Sequence, residues 1–208
     1  MQTDLNWGKD MTRIHDTVLL CASFAIVLGC SIASPVSSQG NKPATPNDAA
    51  QSTEAMRGLR DKLLTSSPEE MGLGTEDASA NVWGVLMEIG FQEGVVTVVS
   101  MRDGTANIYV NTGGGLLGGH SAQKQAQQFI SESEKHLAGM KLTKSFPYPT
   151  VGKVIFYVLT QEGVYSAAAG EQELIRMEHA LSPLFRAGNE VLIGLRSAGK
   201  PANPTGTP

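Results

Sequence analysis

Two hydrophobic periodicities alternate along the central part of the chain and predict an α+β domain. Residues 53 to 64 place Met56, Leu59 and Leu63 on one helical face, whereas residues 82 to 91 alternate large side chains as a strand does. Continued along the chain, these patterns predict helices and strands in the order ααβββαββαα. That order suits a five-stranded antiparallel sheet with helices packed on one face.

Turn and capping residues define the boundaries of these elements. Asp103 and Gly104 tolerate positive φ in a tight turn, so they predict a hairpin between the second and third strands. Ser67 and Pro68 predict the cap and the first position of a second short helix ahead of the sheet. Ser121 predicts the N-cap of a helix that follows the third strand.

Half of the aromatic side chains lie on the predicted strands. In the first strand the odd-numbered residues from 83 to 91 share one face, so Glu88 lies on the other, toward solvent or an ion-pair partner. Four aromatic residues of the strands are expected at core or sheet-face positions rather than in an aromatic cage, namely Trp83, Tyr109, Phe156 and Tyr157. The segment 146 to 149, Phe-Pro-Tyr-Pro, is typical of a connection made rigid by proline. The alternative is a recognition loop.

The predicted layout resembles profilin-like and roadblock-like domains in the arrangement of its elements, without a shared motif. Three phrases resemble those of an uncharacterised bacterial domain family. They are Trp-Gly-Val-Leu-Met-Glu at residues 83 to 88, Glu-Gly-Val-Val-Thr at 93 to 97 and Ser-Pro-Leu-Phe at 182 to 185. The resemblance covers most of residues 56 to 196, and it implies no known activity.

An uncharged apolar run at residues 17 to 29 has the length of a signal-peptide core and is short of the roughly 20 residues of a bilayer-spanning helix. The run ends in Val-Leu-Gly-Cys at residues 27 to 30, which resembles a bacterial lipobox and predicts lipidation of Cys30. Two alternatives stay open for this segment. The run could be retained as an anchor, or the chain could be cleaved after Ala33.

Composition divides the chain into four parts. The segments that flank the domain are rich in Pro, Ser, Asn and Thr and lack the large apolar residues that offset the entropy of chain ordering. The predicted parts are a signal or anchor at residues 1 to 29, a disordered tether at 30 to 52, one domain at 53 to 196 and a disordered tail at 197 to 208. A start at Met11 rather than Met1 would give a leader of more normal length.

Charge and cysteine content exclude several classes of protein. The net charge is −4, and the chain has no Lys/Arg run, so it lacks the electrostatic footprint of a protein that binds nucleic acid or anionic lipid. Membrane attachment must therefore come from the N-terminus. No cysteine follows Cys30, so no disulfide can form within the domain.

A glycine-rich loop is the candidate ligand site. Its residues are Gly113, Gly114, Gly115, Gly118, Gly119, His120 and Ser121. The segment contains the spacing of a dinucleotide-binding loop, but the strand before it belongs to an antiparallel meander rather than a βαβ unit. It also imitates a P-loop, with His120 where Lys must contact phosphate, and a hydrolase nucleophile elbow, with Gln123 in place of the second glycine. The structural interpretation is a connection whose glycines adopt positive φ, followed by Ser121 as helix cap.

No metal site is predicted, because His136 and His179 stand singly on predicted helices without metal-ligand spacing. No catalytic residue and no cofactor are predicted either. We therefore expect a non-catalytic interaction domain, tethered to the membrane of the bacterial cell envelope, that binds an unidentified protein or a second copy of itself. The alternative is a small hydrolase or nucleotide-binding protein that uses residues 113 to 121. The alternative locations are the cytoplasmic side of the membrane and the cytoplasm.

Overall fold

The computed structural model describes residues 46 to 198. The predicted signal segment, most of the predicted tether and most of the predicted tail lie outside these residues. The described helices are α1 (Pro46–Thr65), α2 (Thr75–Ala78), α3 (Gln123–His136), α4 (Glu171–Ile175) and α5 (Ser182–Ala198). The described strands are β1 (Val82–Phe91), β2 (Gly94–Met101), β3 (Ala106–Val110), β4 (Gly115–Leu117), β5 (Lys141–Thr143), β6 (Lys153–Thr160) and β7 (Gly163–Gly170).

The strands form one antiparallel sheet in the order β4-β3-β2-β1-β6-β7-β5. The α+β class is confirmed, and the prediction of five strands is wrong because the sheet has seven. The two additional strands, β4 and β5, are three residues each and lie at opposite edges. Their pairing depends on neighbouring strands rather than on an alternating pattern of their own, and β4 lies inside the segment that was predicted to be a glycine-rich connection.

Helices pack on both faces of the sheet, so the prediction of helices on one face is wrong. On one face, here called the α3–α5 face, the core joins sheet residues such as Met87 and Val98 to Phe129 of α3 and Leu192 of α5. On the other, the α1 face, a second core joins Leu86 and other sheet residues to helix α1 and the chain that follows it. Burial on both faces explains why β1 and β2 consist almost entirely of buried residues.

Two residues predicted to lie in the core are placed differently in the structure. Trp83 packs on the α1 face, opposite Val85 and Met87, because an irregularity in the pairing of β1 with β6 between Val82 and Gly84 reverses the alternation there. On α1, Leu59 is 38% exposed, whereas Arg60 is buried.

Three helix boundaries also differ. Helix α1 begins at Pro46, seven residues before the predicted start, which suits proline at a first helical position. After Ser67 the chain forms turns instead of a helix, although Ser67 and Glu70 exchange the backbone and side-chain hydrogen bonds of a capping box. Helix α3 begins at Gln123 with Ala122 as N-cap, so Ser121 is not its cap.

Candidate functional site

The predicted ligand loop connects β3 to α3 and contains the edge strand β4. Three of its glycines have positive φ, namely Gly113 at 113°, Gly114 at 88° and Gly119 at 51°, and they shape the turns before and after β4. Gly115 and Gly118 are needed for a different reason. A Cβ at Gly115 would overlap the Ile108 carbonyl oxygen, and one at Gly118 would overlap the Leu195 side chain of α5.

Three backbone N–H groups of this loop are engaged within the protein. Gly113 donates to the Val110 carbonyl at 2.9 Å, and Gly118 donates to the Ala106 carbonyl at 3.1 Å. Gly114 donates to Ser52 Oγ of helix α1 at 3.2 Å. A phosphate site needs several N–H groups that point together at the ligand. The N–H groups of Gly113, Gly114 and Gly118 are therefore not free to converge on a phosphate.

The side chains at the end of the loop do not assemble a nucleophile. Ser121 donates its hydroxyl hydrogen to the Gly118 carbonyl and is exposed. In the part of the chain that the structure describes, the exposed His120 ring makes no hydrogen bond to Ser121 or to a carboxylate. A hydrolase needs its base within hydrogen-bond reach of the nucleophile and a third group to orient that base. These residues lie next to each other in sequence without forming such a chain.

A buried group of polar side chains lies elsewhere, under helix α1, and here it is called the Arg60–Glu88 cluster. Arg60 Nε lies 2.5 Å from Glu88 Oε1, and Nη2 lies 2.9 Å from Oε2, so the pair is bidentate. Thr97, directly opposite Glu88 on β2, donates to Oε1 at 3.1 Å. The Glu88 side chain is fully buried, and that of Arg60 is 4% exposed.

The segment from 145 to 150 closes over this cluster. Arg60 Nη2 donates to the Phe146 carbonyl at 2.9 Å, and the Tyr157 hydroxyl donates to the Pro147 carbonyl at 2.7 Å. The Arg60 guanidinium lies 4.0 Å from the centre of the Tyr148 ring, which is a cation–π distance. Phe146 and Tyr157 pack edge to face at 5.7 Å.

Burial and ion pairing act in opposite directions on the pKa values of this cluster. Burial raises the pKa of Glu88 and is the largest effect there, while the hydrogen bonds and charge of Arg60 lower it. Burial lowers the pKa of Arg60, but the hydrogen bond and charge of Glu88 outweigh it, so that pKa is raised. The folded pair is ionised, because neutral Glu88 would leave a buried guanidinium without a counterion. Burial raises the pKa of Tyr157 to about 12.

The geometry of this cluster fits a structural role rather than a catalytic one. An open groove of about 350 Å³ lies beside it and is lined in part by Tyr148, Lys153 and Ile155, but neither Arg60 nor Glu88 reaches its surface. Since a general base must contact its substrate, Glu88 cannot act as one in this arrangement. The cluster fixes helix α1 and the segment from 145 to 150 to the sheet.

Sequence reasoning missed this cluster as a unit, although the signals were present. Glu88 was expected to face solvent or a partner, and the partner is now identified. Arg60 follows Met56 by four residues and precedes Leu63 by three, so it lies in the apolar stripe of α1. Glu88 is a single acid within an otherwise uncharged strand. A single cation on the apolar face of a helix and a single anion in an apolar strand must both be buried. Each therefore predicts the other as its ion-pair partner.

Both ends of the described chain meet at the edge of the sheet formed by β4. At the N-terminal end, Ser52 accepts from Gly114, and Thr53 Oγ1 donates to the Thr112 carbonyl at 2.9 Å. At the C-terminal end, Leu195 of α5 packs so closely on Gly118 that no Cβ would fit there. The loop predicted to bind a ligand therefore braces the two terminal helices against the sheet.

Two further features of the described residues concern metal binding and membrane spanning. Among residues 46 to 198, no group of three or more His, Cys, Asp or Glu side chains could hold a metal ion. None of the described helices is both long enough and apolar enough to cross a membrane.

Comparison of the chain with models of protein families, with curated proteins and with solved structures found no match.

The loop geometry predicts that anions leave the stability of this protein unchanged. A ligand that binds only the folded state raises the melting temperature by mass action. Because the Gly113, Gly114 and Gly118 N–H groups already have acceptors, millimolar phosphate or ATP should produce no shift in thermal unfolding. A reproducible rise that Gly118→Ala abolishes would restore the nucleotide-binding interpretation.

Proposed function

We propose that this chain is a non-catalytic binding domain held at a bacterial membrane by its N-terminal segment. One observation carries the proposal. Thr53 donates a hydrogen bond to the Thr112 carbonyl and Ser52 accepts one from the Gly114 N–H, so the glycine-rich loop braces the helix that follows the N-terminal segment. A loop used in this way connects the helix that follows the tether to the sheet, and the N–H groups of Gly113, Gly114 and Gly118 are not available to a substrate.

The geometry argues against the alternative function, a small hydrolase or a nucleotide-binding protein. Ser121 donates to a backbone carbonyl instead of to a base, and the N–H groups of Gly113, Gly114 and Gly118 already have acceptors. The net charge of −4 also disfavours nucleic acid as the partner. Recognition of an unidentified protein, or of a second copy of this chain, is the form of binding that we propose.

Two resemblances stay predictions. A sheet sandwiched between helices is compatible with a profilin-like or roadblock-like layout, and the phrases near residues 83, 93 and 182 are those that suggested the uncharacterised bacterial family. Location in the cell envelope, as a lipoprotein with Cys30 at its mature N-terminus, is likewise proposed from the N-terminal residues. The uncleaved anchor and a cytoplasmic location are its alternatives.

Replacing Cys30 tests the tether directly. If Cys30 carries the lipid, Cys30→Ser should move the protein from the membrane fraction to the soluble fraction, since a polypeptide without acyl chains has lost its hydrophobic anchor. The matched control is Cys21→Ser, which lies within the predicted leader and should leave the protein in the membrane fraction. The measurement is fractionation of cells followed by mass spectrometry of the mature N-terminus.

The fractionation separates the proposed mechanisms of attachment. Full membrane retention of Cys30→Ser, with an intact N-terminus, would contradict lipidation and support a retained helix. A wild-type protein found wholly in the soluble fraction would contradict the membrane tether itself.

A further inference from the structure

The edge strand β4 presents apolar side chains to solvent. Leu117 is 71% exposed, more than any other large apolar side chain among the described residues, and Leu116 is 38% exposed. The two leucines point to opposite faces of the sheet, because Leu116 is paired with Ile108 and Leu117 with Asn107. In the described sheet β4 pairs with β3 alone, so its outer side has no strand beside it.

The two edges of the sheet differ in charge. Residues 112 to 122, which include β4, contain no Asp, Glu, Lys or Arg. The opposite edge strand, β5, begins with the exposed Lys141 and is followed closely by Lys144. Lysine on an edge strand protects it from unwanted contacts. The uncharged β4 edge lacks this protection and is suited to an apolar surface.

The position of the N-terminal end of the described chain indicates which apolar surface the β4 edge contacts. Pro46 starts α1 six residues before Ser52, which is hydrogen-bonded to the β4 turn, and six helical residues span about 9 Å. A random coil as long as the chain from Cys30 to Pro46 has an r.m.s. end-to-end distance of roughly 20–25 Å. The β5 edge lies six strand spacings further away, about 29 Å.

We propose that the β4 edge contacts the lipid surface to which this chain is tethered, with Leu116 and Leu117 entering the boundary between headgroups and acyl chains. This inference rests on the proposed membrane tether. Two leucines alone bind a bilayer weakly, but a short tether holds them at a high effective concentration near it. The contact needs no anionic lipid, because the β4 segment has no cation to attract one.

A fluorescent reporter beside β4 tests the contact in the full lipidated chain. His120→Cys, in a Cys21→Ser background, places a labelling site at an exposed position three residues after Leu117. The chain is reconstituted into phosphatidylcholine vesicles that contain spin-labelled phosphatidylcholine, which quenches an NBD label close to the acyl chains. We expect quenching at least about threefold stronger than after adding Leu117→Ser, since contact at this depth requires an apolar side chain.

Leu142→Ser is the matched control, because Leu142 is 57% exposed on the opposite edge strand and should leave the quenching unchanged. Equal quenching with and without Leu117→Ser would overturn the lipid contact and leave the tether intact. Energy transfer between labelled copies without lipid quenching would assign the edge to a second copy and also overturn it. A chain that does not remain on the vesicles would overturn the tether and this inference together.

Discussion

Arg60→Met should lower the free energy of unfolding by about 3–5 kcal/mol, because it leaves the Glu88 carboxylate buried without its cation. The Glu88 side chain has no exposed surface, and Arg60 supplies two of the three donors that reach its oxygens. Thr97 would remain as a single neutral donor. The loss of stability is measured by chemical denaturation of the full chain in mild detergent, with near-ultraviolet circular dichroism as the signal that monitors unfolding.

Two controls separate the buried charge from lost packing. Arg102→Met breaks an ion pair with Glu134 whose side chains are 35% and 41% exposed, and it should cost less than about 1 kcal/mol. The double variant Arg60→Met with Glu88→Leu removes both charges and should recover most of the stability, since an apolar pair of similar volume avoids desolvation. A double variant as unstable as Arg60→Met alone would contradict the argument from charge.

The loss in Arg60→Met should depend on pH. Without the opposing guanidinium, burial raises the pKa of Glu88 further, so the folded variant binds a proton that the unfolded chain releases. A raised carboxyl pKa stabilises the fold below the unfolded value of about 4.3 and loses that contribution as pH rises through the folded pKa. The deficit relative to wild type should therefore be smallest near pH 4 and largest at neutral pH. A deficit independent of pH would mean that Glu88 stays ionised without Arg60.

The parts of the fold that sequence predicts well are those whose local pattern and tertiary role agree. Strand β1, Val82–Phe91, has the predicted bounds, and Asp103 stabilises the predicted hairpin by accepting from the Thr105 N–H at 2.8 Å. In contrast, β4 and β5 are too short to show a period, and they form only because β3 and β7 offer a partner. Tertiary contacts also decide the position of α1 on the second face of the sheet. Arg60 is polar in sequence and becomes a core residue only because it pairs with Glu88.

The candidate site illustrates a second limit. The glycine spacing of residues 113 to 118 fits several phosphate-binding motifs, because each motif specifies where backbone must be unhindered and not what approaches it. In this protein the approaching atoms belong to the chain itself, namely the Leu195 side chain at Gly118 and the Ser52 hydroxyl at Gly114. A glycine pattern predicts close approach, and only the surrounding fold decides between a ligand and another part of the protein.

Gly90→Ala should destabilise the protein by about 3 kcal/mol, near the upper end of the usual cost of overpacking. Gly90 lies on β1 two residues after Glu88, and a Cβ there would overlap the Thr150 carbonyl oxygen and lie 2.9 Å from the carbonyl oxygen of Pro149. Those atoms are backbone, so they cannot move away as a side-chain end can. The substitution should lift the segment from 145 to 150 off the Arg60–Glu88 cluster.

The matched control is Gly84→Ala on the same strand, where the nearest atom is the Leu159 Cδ1 at 2.9 Å, the end of a flexible side chain. Its cost should be about 1 kcal/mol or less, because the leucine can change rotamer. Ultraviolet titration gives a second measurement: burial raises the pKa of Tyr157 to about 12, and uncovering that ring should lower it. Equal stability of the two variants, or an unchanged tyrosine titration in Gly90→Ala, would contradict the role of Gly90 in seating this segment over the buried ion pair.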